Sequence, residues 1–175
     1  IGAYHNTDIE GISHLLEHTI LMGSEKYPNE NTYNKMVEEY DGYSNAHTNN
    51  DNTIYHFHCI PKRLMKILDV FSQLFTCPSF EEGSIKREMN AVHSEFIDSL
   101  TEEARLFDAV RKQFTVKSHP ARNFHTGNLE TLNVPDIRGK LIDFYNSHYS
   151  SNIMKLVICG KESLDKLEFN VKQMF

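Results

Sequence analysis

The stretch Gly11-Ile12-Ser13-His14-Leu15-Leu16-Glu17-His18 constrains this chain more than any other. Its ionisable side chains can act together in one conformation, the α-helix. At about 100° per residue, histidines four positions apart stand roughly 40° apart around the axis. Glu17 falls about 60° from His14 on the other side. One helical face can then hold a zinc ion with two imidazole nitrogens and set a carboxylate beside a water on the metal.

Catalytic zinc usually takes three protein ligands and keeps one position open, so a third ligand must come from elsewhere in the chain. Asp51, Glu81, Glu82, Glu88, Glu95 and several histidines are all available, and spacing alone does not choose among them. Helical geometry narrows the field. Glu88 and Glu95 are seven residues apart and share a helix face two turns apart. Met89, Val92 and Phe96 anchor a neighbouring face in the core. One carboxylate can bind the metal while the other supports a ligand.

The rest of the chain alternates helical and strand patterns. A helix is expected over 9–22, stopped by Gly23 and Ser24, and a second over 31–40, stopped by Gly42. Residues 43–48 and 53–60 read as strands of a hairpin turning at Asn49-Asn50-Asp51-Asn52. Pro61 opens an amphipathic helix through Phe75 with Leu64, Ile67, Leu68, Phe71 and Leu74 on one face. Helices follow from about Glu81 to Asp98, Glu102 to Phe114, 136–147 and 163–174. Residues 153–159, Ile-Met-Lys-Leu-Val-Ile-Cys, read as a late strand. The class is α+β, with helices packed on a mostly antiparallel sheet.

A length of 175 residues suits one domain, 1–175, with a core of its own. A net charge of -6 and the lack of a basic run argue against nucleic acid as a partner. No apolar run approaches the roughly 20 residues that span a bilayer, so no membrane partner is expected. Cys59, Cys77 and Cys159 sit singly in apolar segments, which reads as buried free thiols in a reducing compartment such as the cytoplasm. The chain begins at Ile1 and ends on Phe175, and reads as a piece of a longer polypeptide.

His-x-x-Glu-His is the inverse of the commoner zinc-protease signature. Together with Leu21-Met22-Gly23-Ser24-Glu25-Lys26-Tyr27-Pro28, Ser44-Asn45-Ala46, Arg87-Glu88-Met89-Asn90-Ala91-Val92-His93-Ser94-Glu95, Gly127-Asn128 and Tyr149-Ser150-Ser151-Asn152, it resembles the insulinase/pitrilysin family of zinc metallopeptidases, especially the insulin-degrading branch. These segments follow the family's order and spacing over nearly the whole chain. The resemblance implies that His14, His18 and Glu95 hold one zinc ion. It makes Glu17 the general base and gives Glu88 the supporting carboxylate position. Asn45 and Ala46 fall on the strand whose backbone pairs with a peptide substrate. It further implies an insulinase-type domain without its first strands, and a C-terminal half, missing here, that completes the enzyme. A fragment of this kind is expected to be weakly active or inactive alone. The alternative is a non-catalytic peptide-binding or core subunit of the same family, which typically loses the His/Glu set.

Other polar groups have simpler readings. His56 and His58 alternate on one strand face as partly exposed cross-strand partners. Asn45 also suits a turn. Phe71, Phe75 and Phe80 read as core. His5, His47, His93, His119, His125 and His148 receive no role.

Overall fold

In a computed structural model, the structure describes residues 1–175, apart from the side chain of Ala104. The chain is α+β: eight α-helices and one hairpin among the described residues, with two compact units interleaved along the sequence.

The first unit comprises Ile1–Thr19, His47–Ile54 and Glu82–His148. It contains α1 (Ile12–Ile20) up to Thr19. It also contains α4 (Glu82–Asp98), α5 (Glu103–Phe114), the single turn α6 (Leu129–Leu132) and α7 (Ile137–His148). Helix α1 starts later than its apolar pattern suggests, because Gly11 has φ +88° and ends the preceding turn in the left-handed region. Ile12, Leu15 and Leu16 are fully buried, which fixes the rotation of the helix about its axis. Ile85, Met89 and Val92 bury the corresponding stripe of α4, and Phe96 is half-buried at its end. Helix α4 packs on α6, whose start is capped by Asn128: its Oδ1 accepts from the amides of Glu130 at 2.9 Å and Thr131 at 3.0 Å.

The second unit comprises Ile20–Ala46, Tyr55–Glu81 and Tyr149–Phe175. It holds α2 (Thr32–Glu39), α3 (Leu64–Thr76) and α8 (Leu164–Met174), with α3 packed against the other two. Its core is aromatic. Phe71 lies between Phe57 (5.1 Å between centroids) and Phe75 (4.8 Å), with Tyr33 at 5.8 Å, and Phe80 is buried as expected. The stop after α2 differs from expectation. Asp41, not Gly42, takes the left-handed position at φ 49°. Gly42 follows it and donates to the Val37 carbonyl at 2.9 Å, closing a Schellman turn. Glycine is needed there for closeness, since a Cβ would come within 2.5 Å of the His58 carbonyl oxygen.

The hairpin joins β1 (Tyr43–Thr48) to β2 (Thr53–His58), its tip assigned to the first unit and its base to the second. Ser44, Ala46 and Thr48 face inward and Tyr43, Asn45 and His47 outward. Strand β2 ends two residues earlier than expected.

The expected strand over 153–159 does not form. A strand needs a hydrogen-bonding neighbour, and among the described residues β1 and β2 make a sheet of two with no third member. Ile153, Leu156 and Val157 are exposed, Val157 to 89%. The cysteines also differ from expectation. All three are free, but Cys59 and Cys77 are half-buried and Cys159, in the same extended segment, is exposed. No helix among the described residues is long and apolar enough to cross a membrane.

Candidate metal centre

Burying Leu15 and Leu16 turns His14 and His18 together off the core side of α1. Their rings meet edge to face, 4.8 Å between centroids and 87° between planes. The stripe that seats α4 in the core likewise turns Glu88 and Glu95 toward α1. His14 Nε2 lies 3.4 Å from Glu95 Oε2, and His18 Nε2 lies 3.5 Å from Glu95 Oε1. Two nitrogens from one helix and one carboxylate from another thus converge on a single point in the first unit.

The other nitrogen of each imidazole is tied back. His14 Nδ1 is 2.7 Å from the carbonyl oxygen of Thr126, which can only accept, so Nδ1 carries the hydrogen. His18 Nδ1 is 3.0 Å from Glu88 Oε2 and donates to it in the same way. Both Nε2 atoms are thereby oriented inward, the arrangement by which outer partners fix the tautomer of metal-binding histidines.

The Thr126 carbonyl reaches His14 because two backbones touch. A Cβ on Gly11 would lie 2.3 Å from the Cα of Gly127, and Gly127 itself has φ +80°. The Phe124 amide, donating to Glu10 Oε1 at 2.8 Å, pins the same loop to the approach of α1.

Electrostatics reinforce the cluster. Burial alone lowers the His18 pKa, but the hydrogen bonds and charges of Glu88 and Glu95 outweigh it and push the imidazole up to about 9. Hydrogen bonds from His14 and His18 hold the Glu95 carboxyl well below the usual carboxylate range, against a smaller effect of burial. The metal-free cluster is therefore a carboxylate held by protonated imidazole, with ligand atoms already gathered.

Glu17 is 6% exposed and lies on the same helix. Thr48 Oγ1 donates to its Oε2 at 2.5 Å. Its other oxygen, Oε1, accepts no hydrogen bond among the described residues.

These residues fit a metal ion. Their three ligand atoms lie within 4.8 Å of one another, the one such His/Cys/Asp/Glu group among the described residues. Donors about 2.0–2.1 Å from a tetrahedral ion stand roughly 3.3 Å apart, close to the two His–Glu95 spacings. Two imidazoles and a carboxylate form a donor set typical of hydrolytic zinc.

Of the other candidate ligands, Glu82 pairs with Lys86 at 2.7 Å and Asp51 accepts from Asn52 at 2.7 Å, both exposed, and Glu81 is exposed. His56 and His58 face solvent beside Tyr43, at 6.2 and 5.7 Å between centroids, as cross-strand partners. Asn45 and Ala46 belong to the second unit. There Asn45 is exposed and its Oδ1 accepts from the Ala46 amide at 2.9 Å, while Ala46 is half-buried on the inward face of β1.

Two participants were invisible in the sequence. Thr126 contributes only its backbone carbonyl, so its side chain carries no signal; the nearest clue was Gly127. Thr48 is one threonine among many in a strand pattern, and only the fold brings it to Glu17.

The family model described as insulinase (peptidase family M16) matches residues 2–122. A second, described as the peptidase M16 inactive domain, matches residues 136–175. The insulin-degrading enzyme-like 1, peroxisomal protein of Arabidopsis thaliana is 40% identical over the whole chain, which covers 19% of that relative. Homo sapiens insulin-degrading enzyme is 39% identical over 96% of the chain, covering 17% of its own length. The Saccharomyces cerevisiae A-factor-processing enzyme is 40% identical over 95% of the chain and 17% of its own length. The crystal structure of pitrilysin is similar over the whole chain and 19% of its own, with a TM-score of 0.95 and 29% identity. The chain spans less than a fifth of the length of these relatives.

Proposed function

The chain belongs to the insulinase family, peptidase family M16, and from that premise we propose that it is the zinc-binding catalytic part of an endopeptidase acting on peptides. The observation that carries this reading is the convergence of His14, His18 and Glu95, with the buried Glu17 carboxylate on the same helix as the two histidines.

In this reading His14 Nε2, His18 Nε2 and one Glu95 oxygen hold the ion. Zinc bound there supplies Lewis acidity and a water activated near neutral pH. Glu17 takes the proton of the attacking water at Oε1 and returns it to the leaving amine nitrogen. Glu88, through Nδ1 of His18, keeps that ring turned to the metal. A peptide substrate lies extended along residues 44–48, with Asn45 and Ala46 among its contacts. Strand β1 has a strand partner on one side only, among the described residues, which suits main-chain pairing.

The relatives are about five times longer than this chain. The proposal therefore includes the residues 1–175 acting as one insulinase-type domain of a longer protein, with a C-terminal half contributing to substrate binding. The isolated chain then cleaves peptides weakly or not at all.

The test is Glu17→Gln in the full-length protein. It should bind zinc one to one and lose hydrolysis; retained activity removes Glu17 as the base. Glu95→Gln should weaken zinc binding, and unchanged metal affinity removes Glu95 as a ligand.

A further inference from the structure

We propose that Thr48 is a positioning residue for Glu17, fixing which carboxylate oxygen handles the proton. The inference rests on Glu17 being the base in the proposed function.

Three observations carry it. First, Thr48 Oγ1 stands 2.5 Å from Glu17 Oε2 and 3.1 Å from Thr53 Oγ1. A carboxylate can only accept, so the Thr48 hydroxyl proton is committed to Glu17. Second, Thr48 Oγ1 can itself accept from Thr53, whose single hydroxyl proton is shared between Thr48 Oγ1 at 3.1 Å and the carbonyl oxygen of Ile1 at 3.0 Å. The two threonines face each other across the mouth of the hairpin, where the Asn49 amide donates to the Asn52 carbonyl at 2.7 Å. Both are β-branched, with few side-chain rotamers, on paired strands. Third, Glu17 is buried on a flexible side chain, and Thr48 is the hydrogen-bond donor to its carboxylate among the described residues.

These features give the carboxylate a handedness. Oε2 is held by a donor that strand pairing has already placed, and Oε1 is left to face the reaction. Without the Thr48 hydroxyl, Oε2 has lost its partner in a buried setting, and the carboxylate turns to recover one elsewhere. The proton acceptor is then populated in several orientations, and only a fraction are productive. Ligand atoms of His14, His18 and Glu95 are untouched by this change, so metal binding is a separate matter from base orientation.

The experiment uses the full-length protein loaded with zinc, as Thr48→Val and Thr48→Ser, each alone and combined with Glu17→Gln. Valine keeps shape and strand preference and deletes the hydroxyl; serine keeps the hydroxyl. Thr48→Val is expected to bind zinc one to one, to hold KM within about twofold, and to lower kcat by about tenfold to a hundredfold, the size of one hydrogen bond to a charged group. Thr48→Ser should recover at least a third of kcat. A crystal structure of the Thr48→Val protein should show Glu17 in more than one rotamer, a readout independent of turnover. Adding Thr48→Val to Glu17→Gln should change nothing further. If Glu17→Gln abolishes turnover while Thr48→Val keeps kcat within twofold, the inference falls and the base assignment stands. A kcat lost in valine and not recovered in serine makes Thr48 a packing residue and also overturns it. If Glu17→Gln itself remains active, the proposed function fails at the base, before Thr48 is in question.

Discussion

His18 Nδ1 and Glu88 Oε2 lie 3.0 Å apart, and that contact decides which nitrogen of His18 faces Glu95. Both side chains are largely buried, so the hydrogen bond is shielded from water. Replacing Glu88 with Ala frees the ring to rotate and to present either nitrogen. Zinc affinity should fall about 10–100-fold, the usual cost of losing such an outer partner. Chelator competition measures this, and an unchanged dissociation constant would show that the ring is held by packing alone.

The pH dependence of zinc uptake follows from the same pair. With His18 at about 9 in the metal-free protein, its imidazole carries a proton at pH 7 that must leave when Nε2 binds a metal. Apparent zinc affinity should therefore rise about tenfold per pH unit between roughly pH 7 and 9 and flatten above. Titration calorimetry in two buffers of different ionisation enthalpy should detect at least one proton released per zinc at pH 7. Release of none contradicts the raised value.

Stability of the metal-free protein is linked to the same proton. The folded His18 value lies above its ordinary 6.5, so protonation favours the folded state. This contribution is fully present below about pH 6.5 and is lost as pH rises through about 9. Glu95 acts in the opposite range: its folded value is depressed, so its contribution is present above the ordinary value of 4.5 and is lost as pH falls. Denaturant midpoints of the zinc-free protein should fall between pH 7 and 9, and excess zinc should reverse the trend. A midpoint that stays flat over that interval rules the linkage out.

Gly11 and Gly127 carry the Thr126 carbonyl to His14, and both have positive φ. Gly11→Ala meets two costs: a left-handed backbone, which is about 1–2 kcal/mol for a residue with a Cβ, and a methyl 2.3 Å from the Gly127 Cα. Loss of at least about 2 kcal/mol of unfolding free energy is expected. Zinc should also bind more weakly, because the loop must retreat from His14. Denaturant unfolding and zinc titration of this variant test the two effects separately, and wild-type values in both would show that the close approach is not required.

The sequence carried the centre of the site because helical geometry is local. His14 and His18 share a face by spacing alone, and Glu88 and Glu95 share one by the same rule. Choosing Glu95 over Asp51 or Glu82 needed the family resemblance, since spacing within one helix says nothing about which helix faces it. The supporting contacts were not legible for a different reason. Thr126 acts through a carbonyl that every residue possesses. Thr48 acts through a hydroxyl whose partner lies 31 positions away. At the end of α2 the pattern points to Gly42 as the stop, yet Asp41 takes the left-handed bend, while Gly42 closes the turn onto Val37 and leaves room for the His58 carbonyl. Periodicity marks a helix's buried face well and marks the positions of its ends poorly.

At Ile153–Cys159 local pattern and structure part company. Its composition suits a buried strand, but pairing is a property of the neighbour as much as of the segment. As a central strand, Val157→Lys would bury a charge and cost several kcal/mol. With Val157 at 89% exposure, the same change should shift unfolding free energy by no more than about 0.5 kcal/mol. It should reduce self-association, because an exposed apolar extended segment offers unpaired backbone to another copy, and lysine on such an edge opposes that pairing. Denaturant unfolding at low protein concentration and sedimentation velocity over a concentration series separate the two effects. A loss of several kcal/mol in the dilute sample would mean that residues 153–159 are covered in solution.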